Sequence, residues 1–208
     1  ATNTARSDWS WAPLLADFDN DGLKDLYITN GFIRDVTDLD YLFFSMDSIN
    51  KITRNLRTKQ DIQNLFAGIP SIKVRNYYYK NIQGETFQKL SKEVGIDDPS
   101  WSFGAAYGDL DNDGDLDIIV NNTNDEPFVH KNLARENGWG NFVKIKLHGP
   151  AKNINAIGAK IEVEIPNEFN QTIVVNPYKG YISTHDLTQV FGLRNYNECN
   201  IKITWPDG

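Results

Sequence analysis

The stretch Asp109-Leu110-Asp111-Asn112-Asp113-Gly114-Asp115-Leu116-Asp117 decides how this chain is read, because it has a near copy at Asp17-Phe18-Asp19-Asn20-Asp21-Gly22-Leu23-Lys24-Asp25. Each copy places carboxylates at positions 1, 3, 5 and 9, a glycine at position 6 and a backbone carbonyl at position 7, from Leu23 or Asp115. That all-oxygen ligand set suits a hard cation of calcium's size; magnesium demands a stricter octahedron. Two calcium sites are expected. The first would use Asp17, Asp19, Asp21, Leu23 and Asp25, and the second Asp109, Asp111, Asp113, Asp115 and Asp117. Carboxylates so close repel: a like pair about 4 Å apart costs on the order of 4 kcal/mol at an effective dielectric near 20. An unfilled loop is therefore expected to be strained or disordered.

Asp, Asn and Gly also build ordinary turns without metal, but the same spacing occurring twice argues for a ligand role. An EF-hand would need a bidentate Glu at position 12 and a following helix. Position 12 is Ile28 or Val120, within the β-branched runs Leu26-Tyr27-Ile28-Thr29 and Ile118-Ile119-Val120 that read as buried strands. The loops thus lie between strands.

The two loops are offset by 92 residues, and the match extends outward to Trp9 with Trp101, Ser10 with Ser102 and Asn30 with Asn122. This is an internal repeat, too long for one propeller blade of roughly 40 to 50 residues. An insertion lies between Asp35 and Asn76, helical over about 36–69. Thr37 to Asp40 reads as a capping box, followed by Leu39, Leu42, Phe43, Met46 and Ile49 at helical spacing. Removing those 42 residues leaves a period of 50, which suits a four-stranded blade. Tyr77 to Leu90, with a turn at Gln83-Gly84-Glu85, reads as the outer hairpin of the first blade, and Pro127 to Asn132 repeats the Tyr-Lys-Asn type of strand. From Asn141 the pattern becomes short alternating runs broken by Gly, Pro and Asn, a separate small all-β unit. The expected layout is two blades over 1–133, a linker over 134–140 and a β-domain over 141–208.

The 208 residues carry a net charge of -7, 40% hydrophobic and 12% aromatic residues, and have a mean hydropathy of -0.49, an ordinary globular balance. Two divalent cations would offset much of the acidity, and nucleic acid is not an expected partner. A single cysteine, Cys199, rules out an intrachain disulfide and a cysteine-based zinc cluster. There is no apolar run of membrane-spanning length. The start at Ala1 and the stop at Trp205-Pro206-Asp207-Gly208 suggest a piece of a longer polypeptide.

With these residues in hand, the first 133 resemble FG-GAP or VCBS repeats of the integrin-α type β-propeller, on the two acidic loops and on Phe103-Gly104-Ala105-Ala106. The first repeat has Trp11-Ala12-Pro13-Leu14 at the corresponding place. Residues from Asn141 resemble an ASPIC/UnbV domain, on Ile157-Gly158-Ala159-Lys160, Gly180-Tyr181-Ile182-Ser183, Phe191-Gly192-Leu193 and Trp205-Pro206-Asp207-Gly208. Together they look like large surface proteins of Bacteroidetes that accompany outer-membrane nutrient uptake. The resemblance implies an all-β fold, a partial propeller followed by a small sandwich or barrel-like domain, at an extracellular or outer-membrane surface.

Catalytic constellations are absent: there is no G-x-S-x-G, H-E-x-x-H, P-loop or G-x-G-x-x-G. His130, His148 and His185 lie in separate segments. Trp9 and Trp101 occupy equivalent repeat positions, which favours packing, and Trp139 is the better candidate for an exposed aromatic that could meet a carbohydrate. The reading is a calcium-stabilised binding or scaffold module rather than an enzyme, completed by further blades or a partner protein and associated with glycan or peptide uptake. The alternative is a polysaccharide-degrading propeller whose active site lies partly outside this fragment.

Overall fold

The computed structural model describes residues 4, 7–33 and 71–206, so the helical insert expected over about 36–69 lies outside the described residues. Within them the chain is all-β. The first sheet has the order β1-β2-β4-β5, built from β1 (Ser10–Ala16), β2 (Asp25–Asn30), β4 (Tyr77–Ile82) and β5 (Thr86–Lys89). A second sheet, of order β7-β8-β9, comprises β7 (Ser102–Gly108), β8 (Asp117–Asn122) and β9 (Phe128–His130). A two-stranded patch of β3 (Val74–Arg75) and β6 (Pro99–Ser100) lies beside them. All pairings in these sheets are antiparallel.

The repeat survives in fine detail. Ser10 pairs with Asn30 and Ser102 with Asn122, and in each copy the register shifts before the next pair, at Pro13 and at Ala105. Each serine Oγ lies 2.7 Å from its partner's Oδ1. Gly31 N–H bonds the carbonyl of Trp9, and Thr123 N–H that of Trp101. A bulge tightens local twist, and both copies carry it at the start of the strand that leads to the acidic loop. The two blades pack on each other through β1 and β2 against β7, where Thr29 Oγ1 of β2 donates to the Phe103 carbonyl at 2.6 Å. Their shared core includes Leu14, Phe18, Tyr27, Tyr78, Leu116 and Val120.

The second blade differs from the expected four-stranded pattern. After β9 the chain folds into a tight turn over 134–140, with Trp139 N–H on the Ala134 carbonyl at 2.9 Å, and enters β10 (Asn141–Ile145). β10 pairs with β13 (Gln189–Arg194); β11 (Lys160–Ile165) lies between β12 (Phe169–Val174) and β14 (Asn200–Thr204). These two open sheets enclose a second core of Ile161, Val163, Ile165, Val175, Phe191 and Leu193; the described strands close no barrel. Alternation along β13 sends Val190 into the blade core and Phe191 into the second core, which is what a strand period of two dictates for a strand sandwiched between layers.

Candidate metal centre

Each acidic loop joins the two inner strands of its blade, β1 to β2 and β7 to β8. Positive φ at Asn20 (58°) and Asn112 (65°), then at Gly22 (84°) and Gly114 (100°), reverses the chain twice within a few residues. Asparagine tolerates this region and glycine occupies it freely, which explains why these two residue types recur at positions 4 and 6. The curl brings the first three carboxylates of each loop toward one another. Asp17, Asp19 and Asp21 each offer an oxygen within 4.8 Å of the others, and so do Asp109, Asp111 and Asp113. Either group could hold a metal ion.

The ninth residues do not join those groups. Asp25 Oδ2 accepts the Tyr78 hydroxyl and its Oδ1 the Asn81 N–H, both at 2.8 Å. Asp117 takes the Leu110 N–H at 2.9 Å and the Asn132 N–H at 2.8 Å. Both aspartates thereby anchor the strand after the loop at equivalent asparagines. At position 7, the Asp115 side chain is turned inward, 1% exposed, while Leu23 is half-buried.

Lysines supply counter-charge to both loops. Lys80 Nζ bridges Asp19 and Asp21, the latter at 3.3 Å. Lys131, its equivalent in the second blade, meets Asp111 at 2.7 Å and Glu136 at 2.9 Å and holds the Asp111 carboxyl below the usual range. Lys144 of β10 reaches Asp109 at 2.7 Å and Asn112 at 3.1 Å. Compensation is incomplete. Burial, then the Asp21 charge, pushes Asp17 up to about 7. Burial likewise raises Asp25 to about 6 against the opposing Asn81 and Tyr78 hydrogen bonds. In the second loop Asp109 Oδ1 and Asp113 Oδ2 are buried with no partner. Bare carboxylate oxygens away from water are costly unless a cation meets them, so the residues present fit a bound metal.

The first loop is sealed by the C-terminal sheets. Gly192 N–H of β13 donates to Asp17 Oδ2 at 3.2 Å, and Arg194 bonds the Asn20 carbonyl through its N–H at 3.1 Å and the Asp21 carbonyl through Nε at 2.5 Å. Phe169 lies over Gly22, and Phe142 over Gly114, where any Cβ would strike the ring. Asn20 Nδ2 donates to the Gly114 carbonyl at 3.4 Å, joining the two loops. The sequence reading assigned none of these residues a contact with the loops. The recurring Lys-Asn pair at 80–81 and 131–132 was the available signal, visible as a repeat but unassigned in role.

Beside the loops lies a cleft of about 350 Å³ lined by Phe18, Tyr78, Val94, Leu116, His130 and Trp139, the last 52% exposed. Trp9, 40% exposed, stacks on Phe32 at 4.7 Å, and the Trp101 indole donates to the Ile72 carbonyl at 3.0 Å.

No curated protein matches the chain. Residues 64–120 match the FG-GAP-like repeat family, a span that includes the second acidic loop, and residues 149–208 match the ASPIC and UnbV family, a span that includes β11 to β14. The first loop lies outside both spans and is tied to the first family by its repetition of the second. FG-GAP repeats are typical of extracellular or surface proteins. The chain thus contains an FG-GAP-like repeat over 64–120 followed by an ASPIC and UnbV domain over 149–208.

Proposed function

We propose that both acidic loops bind calcium and that the ion fixes the junction between the propeller blades and the ASPIC and UnbV unit, in an extracellular binding or scaffold module. The observation that carries this is the pair of buried, partnerless oxygens Asp109 Oδ1 and Asp113 Oδ2 inside a three-carboxylate group. In the first loop Asp17, Asp19 and Asp21 would hold the ion, and in the second Asp109, Asp111 and Asp113. Lys80, on β4, and Lys131, just past the end of β9, would swing toward solvent. The donors are all oxygen and uniformly hard, which favours calcium over zinc or copper.

In this reading the module belongs to a larger surface protein associated with nutrient uptake at a bacterial outer membrane. Two blades leave strand edges that further blades or a partner would cover. No described helix is long and apolar enough to cross a membrane. The cleft beside Trp139 is the surface we assign to a carbohydrate ligand, since a flat aromatic face next to Asn and Lys side chains suits a sugar ring. Calorimetric titration of calcium into the parent, Asp19→Asn and Asp111→Asn checks the metal reading. Each variant is expected to lose one binding event, with at least a tenfold weaker affinity at that loop. Identical isotherms for all three would overturn it.

A further inference from the structure

The second acidic loop differs from the first at one chemically decisive place, position 7, where Asp115 stands opposite Leu23. The Asp115 carboxylate points inward. It is 1% exposed; its Oδ2 accepts the Arg135 N–H at 3.0 Å, and its Oδ1 has no partner. Asp113 Oδ1 accepts the Asp115 N–H at 3.1 Å, and its Oδ2 is likewise buried and bare. Glu136, from the turn that leads out of the second blade, brings a third carboxylate, so that Asp113, Asp115 and Glu136 each offer an oxygen within 4.8 Å of the others. Among the described residues, these three acids, on two separate segments and with two dry unpaired oxygens among them, meet a single ammonium, that of the half-exposed Lys131 on Glu136. A water could donate to the bare oxygens but would leave the repulsion intact.

We propose that Asp113, Asp115 and Glu136 form a second cation position beside the second loop, for a hard divalent ion with oxygen ligands, calcium in the first instance. Asp113 belongs to both carboxylate groups and bridges the two positions. The loop would then hold a pair of ions, and the chain three. The first loop has no counterpart, because Leu23 offers no carboxylate. Lys131 is the resident counter-ion. Its ammonium ties Glu136 to Asp111 at 2.9 and 2.7 Å and, being half exposed, can leave for solvent when a divalent ion enters.

The inference extends the calcium reading of the loops but fails separately from it. The test counts calcium bound per full-length chain by equilibrium dialysis and elemental analysis at about 1 mM free ion, the range of extracellular modules. Three per chain are expected for the parent, and two each for Glu136→Gln and for Asp111→Asn, which lies outside the new group. Glu136 is exposed, so its substitution leaves the fold intact by circular dichroism. Lys131→Met, which removes the competing ammonium, is expected to tighten the weakest of the three events several-fold. Two ions in the parent with no change in Glu136→Gln would overturn the second position and leave the loop reading standing. Two in the parent and one in Glu136→Gln would support it and count against one loop. Three ions unaffected by Glu136→Gln would place the third elsewhere and overturn it, and no bound calcium at all would overturn both.

Discussion

At the scale of single residues, the position-1 and position-9 aspartates share a residue type and separate in role. Asp17 lies inside the three-carboxylate group, its oxygens taking backbone N–H groups of its own loop and of Gly192, whereas Asp25 and Asp117 lie outside such a group, Asp25 bonding across to Tyr78 and Asn81 and Asp117 to Asn132. The spacing could name all ten ligand candidates but could not distinguish these roles, because the hydrogen-bond partners of Asp25 lie more than fifty residues away. The consequence for pH has a definite sign. The folded Asp17 carboxyl holds its proton more tightly than the unfolded one, at about 7 against 3.8. Its contribution therefore favours the fold below the unfolded value and is lost as pH rises through the folded one. In chelator, Asp17→Asn is expected to gain stability relative to the parent between about pH 5 and pH 8, because the substitution removes a charge the fold must otherwise bury. In calcium the same variant is expected to be the weaker protein at the upper end of that range. Denaturant melts at both ends check this, and a difference between parent and variant that does not move with pH contradicts it.

Among the elements, the strands flanking the loops were legible because the repeat printed them twice, and the β4–β5 hairpin followed from its Gln83-Gly84 turn. β13 was not legible as a strand. Its Gly192 looks like a breaker in a short apolar run, and the reason for that glycine is remote: Asp17 Oδ2 and the Asn20 backbone occupy the space a Cβ would need. β12 starts at Phe169, ahead of the apolar run Thr172 to Val175, because Phe169 is called to Gly22 of the first loop. The segment 134–140, read as a linker, is pinned by the Arg135 N–H on Asp115 and the Arg135 Nη1 on the Gly140 carbonyl at 2.6 Å, contacts that no local pattern announces. Gly192→Ala is expected to pry β13 from the loop and cost about 1–3 kcal/mol, as overpacking does. Urea unfolding measures it. A loss below about 0.5 kcal/mol, the scale of an ordinary surface change, would show that the contact is slack.

At the scale of the whole molecule, the two cores are not independent. Val190 and Phe142 pack with the blades while Phe191 and Val143, their neighbours on the same strands, pack with the C-terminal sheets. Gly192, Arg194 and Lys144 reach from that side to the loops, and Lys24 of the first loop reaches back to the Thr172 carbonyl. Blades and C-terminal sheets are therefore expected to unfold in one calorimetric transition in calcium, and two resolved transitions would separate them. The division of the sequence into runs of strands gave no sense of this coupling, because it is carried by side-chain alternation within β10 and β13. The central claim is that a divalent ion completes each acidic loop, and the melting temperature of the unaltered chain in calcium against chelator tests it most directly. An ion present at about a hundred times its dissociation constant adds about 2.7 kcal/mol, or roughly 5–10 °C for a chain of this size. A rise of at least that much in calcium is the predicted result, and superimposable melts with and without calcium would contradict the account.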